Sequence, residues 1–146
     1  REKEPLRDYK GSSIFGNITF KYPKTWSALL TDNDDIMTLT MHPLVVSGNQ
    51  QSTHALKIKV ENTDYAQSLL KYEGNVKLGK LKASAIRLEK VQNVLGTRFD
   101  GELSQGVKGV AVVVPLRDKS MTISTEDEDF LNDFNKIILP SYSFVP

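Results

Sequence analysis

The chain contains no cysteine among its 146 residues. That single absence removes disulfides, thiolate nucleophiles and cysteine-based zinc sites together. It leaves the compartment open, since cytosolic proteins and exported bacterial domains both do without cysteine. Histidine is nearly missing as well: His42 and His54 are the only two. A Ser-His-acid triad would need one of them as its base, and no serine stands in a G-x-S-x-G nucleophile elbow. Charge of one sign is not in excess, with 19 basic and 18 acidic residues giving a net +1. No hydrophobic run approaches the roughly 18 residues that cross a bilayer. A Walker loop is also lacking. Gly106-Val107-Lys108-Gly109 is too short to cradle phosphates, stands before a strand pattern, and reads as a turn or bulge.

What is present is an ordinary globular composition, 39% hydrophobic and 25% charged, at a length that suits one domain with one core. Residues 1–13, charged and punctuated by Pro5 and Gly11-Ser12-Ser13, read as a linker or tail, and residues 14–146 as the single domain. The start, Arg1-Glu2-Lys3-Glu4-Pro5, has the look of a chain cut from a longer precursor. Strict alternation marks strands. Ile18, Phe20 and Tyr22 share one face, then Met37, Leu39 and Met41, then Leu56, Ile58 and Val60. Trp26 to Leu30, Lys82 to Val91, Thr97 to Leu103 and Lys119 to Ser124 also read as strands. Val107 to Leu116 is apolar on both faces through Val110-Ala111-Val112-Val113-Val114, the mark of a central strand covered on both sides. Two stretches change period. Asn62 or Thr63 can cap a helix from Asp64 to Tyr72, stopped by Gly74. Thr125 and Glu128 have capping-box spacing ahead of an apolar stripe through Phe130, Leu131, Phe134, Ile137 and Ile138, with Pro140 as the stop. Short turns between consecutive strands imply an antiparallel sheet.

Few residues offer chemistry. Asp32-Asn33-Asp34-Asp35 lacks the alternate spacing, glycine and distal glutamate of a calcium loop, and reads as a turn. Asp127, Asp129 and Asp133 imitate paired catalytic carboxylates, but they read as an exposed helix face beside a capping box. His42 and His54 flank the loop over residues 43–53 and could face a ligand together only if that loop folds over. Lys77 to Lys90 is the densest basic stretch. Without interleaved aromatics it does not suit nucleic acid, and it reads as the solvated face of a hairpin or as a contact surface for an acidic partner. The aromatics Phe20, Tyr22 and Trp26 at one end, with Tyr142 and Phe144 at the other, either pack together in the core or form an exposed binding rim.

The run Phe20-Lys21-Tyr22-Pro23-Lys24-Thr25-Trp26 resembles the F-x-Y-P-x-x-W opening of the PsbP-like superfamily. The closing residues, Glu128 to Phe144, are similar to that superfamily's last helix and S-F-x-F tail. It groups the extrinsic PsbP subunit of photosystem II, a Ran-binding nuclear import factor and many bacterial lipoproteins and secreted proteins. The resemblance implies an α+β fold: an α/β/α sandwich around an antiparallel sheet of six to seven strands, with a C-terminal helix. It also implies binding or assembly rather than catalysis, with no catalytic, metal or cofactor residues assigned. The expectation is a non-catalytic extracytoplasmic domain of a bacterial envelope or secreted protein. Its partner is another protein or an envelope component, not nucleic acid, and it meets a membrane only through an anchor upstream. An intracellular adaptor is the alternative, and an enzyme using the His42/His54 loop a lesser one.

Overall fold

A computed structural model describes residues 6–33, 36–43 and 54–146. Asp34, Asp35 and the loop residues 44–53 lie outside the described residues, and with them half of the expected acidic turn and most of the loop between the histidines.

The described residues form nine strands, two longer helical regions and a separate 3-10 turn at Ser13–Phe15. The strands are β1 (Leu6–Lys10), β2 (Thr19–Pro23), β3 (Trp26–Asn33), β4 (Ile36–Pro43), β5 (Leu56–Glu61), β6 (Leu81–Leu88), β7 (Val91–Ser104), β8 (Val107–Leu116) and β9 (Lys119–Thr125). Seven of them form one sheet in the order β3-β4-β5-β9-β8-β7-β6, antiparallel at every pairing. After β5 the chain crosses through helix α1 (Tyr65–Lys77) to the far edge of the sheet. It then returns as a meander that lays β9 beside β5.

Period-2 sequence patterns become the two faces of the sheet. Leu39, Met41, Leu56, Ile58, Val112 and Ile123 turn toward the C-terminal helical region and pack with its Phe134 and Ile138. The opposite face presents Leu81, Phe99 and Val113 to Tyr65, Leu69, Tyr72 and Val76 of α1. Val110 to Val114 are at most 1% exposed, so β8 is the doubly covered central strand that its composition requires. Helices lie on both faces, and the molecule is an α/β/α sandwich.

Local expectations shift where side chains compete for backbone groups. Asp64, not Asn62 or Thr63, caps α1, its carboxylate accepting the Gln67 N–H at 2.9 Å. Gly74 does not stop the helix, which runs on to Lys77. Thr125 cannot head a capping box because it is still the last, fully buried residue of β9, paired with Val110. Asp127 is the cap instead, accepting the Asp129 N–H at 2.9 Å. The helical region then runs through a 3-10 turn (Glu128–Phe130), an α turn (Leu131–Asp133), a π turn (Phe134–Ile138) and a final α turn (Leu139–Ser141). Pro140 is inside that last turn, one residue before the end. Its missing N–H is accommodated because the widened turn bonds Leu139 N–H to the Phe134 carbonyl, while the Ser141 hydroxyl donates to the Ile137 carbonyl at 2.7 Å.

Part of the expected tail is structured. Leu6–Lys10 pairs antiparallel with β2 as a separate two-stranded ribbon. One aromatic, Tyr9, stacks on Phe20 at 5.3 Å, and one exposed ion pair, Asp8 with Lys21 at 2.9 Å, links the strands. A strand held by a single apolar contact shows no alternation, and composition hides it. The ribbon also receives the chain's end, since Thr19 and Ser143 exchange backbone hydrogen bonds of 2.9 and 2.8 Å. Phe20 stacks on Tyr142 at 5.5 Å, and Phe20, Trp26, Tyr142 and Phe144 are buried. The terminal aromatics therefore fill the core, and no aromatic rim is formed.

Candidate functional site

Between His42 at the end of β4 and His54 just before β5, the sheet brings the two imidazoles together edge to face, with ring centroids 6.0 Å apart. Glu126 places Oε1 3.5 Å from His54 Nε2, too far for a short hydrogen bond, and that buried nitrogen has no other partner among the described residues. Burial lowers the pKa of His54. Attraction to Glu126 opposes the shift, while Lys57 and His42 reinforce it, so desolvation wins over the ion pair and favours the neutral ring. Two rings and one carboxylate are gathered here. Among the described residues, however, no group of three His, Asp or Glu side chains is placed to hold a metal ion.

Next to it, on the α1 face of the sheet, lies a polar cavity of about 120 Å³. Lys57, Lys59, Glu61, Lys71, Tyr72 and Ser124 are among its walls. Glu61 receives Lys71 at 2.5 Å and Lys59 at 3.3 Å. Burial alone would raise the Glu61 pKa, but the two ammonium groups outweigh it and hold the carboxyl below its ordinary range. A larger cavity, about 360 Å³, opens on the other face between β6, β7 and the C-terminal helical region. There the buried Asn135 Oδ1 lacks a partner, and Arg98 is held by Asp100 at 3.0 Å. Of the acidic cluster, Asp127 is occupied as the helix cap and Asp129 is exposed, so its placement is structural.

The third place is the edge formed by β6. This strand is last in the sheet; it carries Lys82 and Arg87 of the basic stretch noted in the sequence, and Lys80 and Lys90 flank it. It forms a hairpin with β7, as the sequence suggests, turning at Glu89 and Lys90. Beside it α1 leaves a groove of about 250 Å³ whose walls, from Leu69, Leu70, Val76, Ala83, Thr97 and Phe99, are mostly carbon, with Glu73 at its border. Leu70 is 61% exposed, although it belongs to a helix whose neighbouring Leu69 is packed on the sheet. A mostly apolar groove along a strand whose outer edge has no neighbour among the described residues supplies both the backbone groups and the pocket that recognition of an extended chain requires.

Comparison with known proteins gives the architecture a precedent. No known protein family matches the sequence, and no curated protein matches it. Among solved structures, that of cyanobacterial PsbP (CyanoP) from Synechocystis sp. PCC 6803 is similar over 98% of this chain and 94% of that one, with a TM-score of 0.54 at 12% identity. The fold is PsbP-like. At that identity the likeness concerns the backbone, so the site must be argued from this chain's own residues. The PsbP-like core explains why the opening and closing motifs matter: Phe20 and Trp26 at one end and Tyr142 and Phe144 at the other are core contacts, not ligand contacts.

Sequence patterns missed the groove because its walls come from α1, β6 and β7, which meet only in the folded chain. Two signals did point to it. One is the basic run from Lys77 to Lys90, and the other is Leu70, an apolar residue beyond the stripe that α1 buries.

Proposed function

We propose that the chain is a non-catalytic binding or assembly domain that acts outside the cytoplasm, within a bacterial cell-envelope or secreted protein, and that its partner is another protein. The observation that carries the binding reading is the free β6 edge with the apolar groove beside it. Support for the location comes from the PsbP-like fold, and from opening and closing motifs that resemble a superfamily rich in bacterial lipoproteins and secreted proteins. The experiment is photo-crosslinking in cells, with an unnatural amino acid placed at exposed positions on β6, α1 and β3, together with protease treatment of spheroplasts. Adducts with one protein from β6 and α1, and digestion in intact spheroplasts, are the expected results. Protection until the inner membrane is lysed would favour the intracellular adaptor, and failure to form an adduct from any surface would end the binding reading.

A further inference from the structure

We infer that the β6 edge docks an extended acidic peptide whose side chains alternate, apolar toward α1 and carboxylate toward the opposite face. This rests on the reading of the domain as a protein-binding module and names the chemistry of its partner. The phase of the ladder is fixed by Lys80, whose carbonyl accepts the Glu102 N–H at 3.0 Å. In an antiparallel pair, residues alternately face the partner strand and turn their backbone outward. Lys82, Ser84 and Ile86 therefore bond to β7, while Leu81, Ala83 and Ala85 offer their N–H and C=O groups to an incoming strand. The side chains of these outward residues lie on the α1 face. Ala83 and Ala85 are small and exposed, and they leave the groove open above the strand. A peptide strand paired here would set every second side chain over Leu69, Leu70 and Phe99.

Its remaining side chains would fall on the opposite face, beside Lys80 and Lys82. From residue 80 to residue 90 the edge strand and its flanks carry four cations, Lys80, Lys82, Arg87 and Lys90, against the single carboxylate of Glu89; on β7 beside it, Asp100 opposite Lys82 is held by Arg98, and Glu102 opposite Lys80 accepts the Gly106 N–H. All four are exposed, and among the described residues none of them pairs with a carboxylate. The same charges argue against a second copy of this chain as the occupant, because joining two β6 edges would set lysines against lysines. Acidic residues on the visiting strand remove that repulsion. The irregularity between Ile86 and Leu88 limits regular pairing to residues 81–86, so recognition spans a short segment.

The test is a fluorescein-labelled peptide of about nine residues alternating valine and glutamate. It is titrated into the protein and followed by polarisation and by backbone amide shifts. Saturable binding that weakens with salt is expected, with shifts confined to residues 81–86 and the facing turns of α1. The double variant Lys80→Glu, Lys82→Glu should weaken it about ten-fold or more. Ala85→Pro removes an outward N–H without touching a bond to β7, so it should abolish binding while the thermal melt stays close to that of the parent. A peptide of the same composition with its valines and glutamates in separate blocks should bind at least about ten-fold more weakly. Shifts at β3 instead, binding indifferent to Ala85→Pro and to the charge reversal, or a dimer that Ala85→Pro dissolves would each overturn the proposal. If the peptide fails while cellular cross-links still trap a protein at another surface, the docking site falls and the binding function stands.

Discussion

At the scale of single residues, His54 gives the molecule a pH response with a definite sign. Its pKa in the folded state is lowered, first by burial, from the ordinary 6.5. Above that value neither state carries the proton and His54 has no effect. As pH falls below about 6.5, the unfolded chain takes up a proton that the folded protein resists, so stability declines until the folded pKa is reached. His54→Gln should flatten the stability curve through that window, measured as urea midpoints at successive pH values. An unchanged slope would mean that the folded ring titrates normally. Glu61 acts in a separate, lower window. Its folded pKa is also depressed, so the stability it contributes is present above the ordinary 4.5 and is lost as pH falls through the folded value.

Among the elements, one side chain ties the C-terminal helical region to the ribbon. The Ser141 hydroxyl donates to the Ile137 carbonyl at 2.7 Å and accepts the Lys21 N–H at 2.8 Å, tying the turn after Pro140 to β2. Ser141→Ala leaves two backbone groups without their partner and should cost about 1–3 kcal/mol. A shift of the denaturant midpoint with an unchanged slope would show it, whereas an unchanged midpoint would mean that water replaces both bonds. None of this was legible in the sequence, where Pro140 reads only as a stop. A π turn depends on how Phe134 and Ile138 must face the core, and that is settled by the sheet beneath them. By contrast, β4, β5 and β8 could be read directly, because each one's apolar pattern reflects its own burial and nothing more distant. The strand at Leu6–Lys10 and the cap at Asp127 went unseen for the same reason as the π turn: a remote or competing neighbour decides them.

Over the whole molecule, stability is unevenly spread. β5, β8 and β9 lie inside the sheet with neighbours on both sides, while β6 has one neighbour and several exposed side chains. Hydrogen exchange should accordingly show β8 and β9 opening only with global unfolding, and β6 exchanging through smaller, local openings. Equal protection across all seven strands would contradict this picture and would argue that the edge is already rigid. The candidate site follows the same division. Its basic residues were visible in the sequence, but the groove required the sheet order that puts β6 outermost.

The bridge between Thr19 and Ser143 has a consequence for the order of events during synthesis. Phe20 is made long before the ring that stacks on it, Tyr142. A nascent chain can form the β6–β9 meander from local contacts, but it holds an open gap beside β2 until residues 142–144 have left the ribosome. Completion of this part of the core therefore waits for Tyr142 and Phe144, which close the gap like a latch.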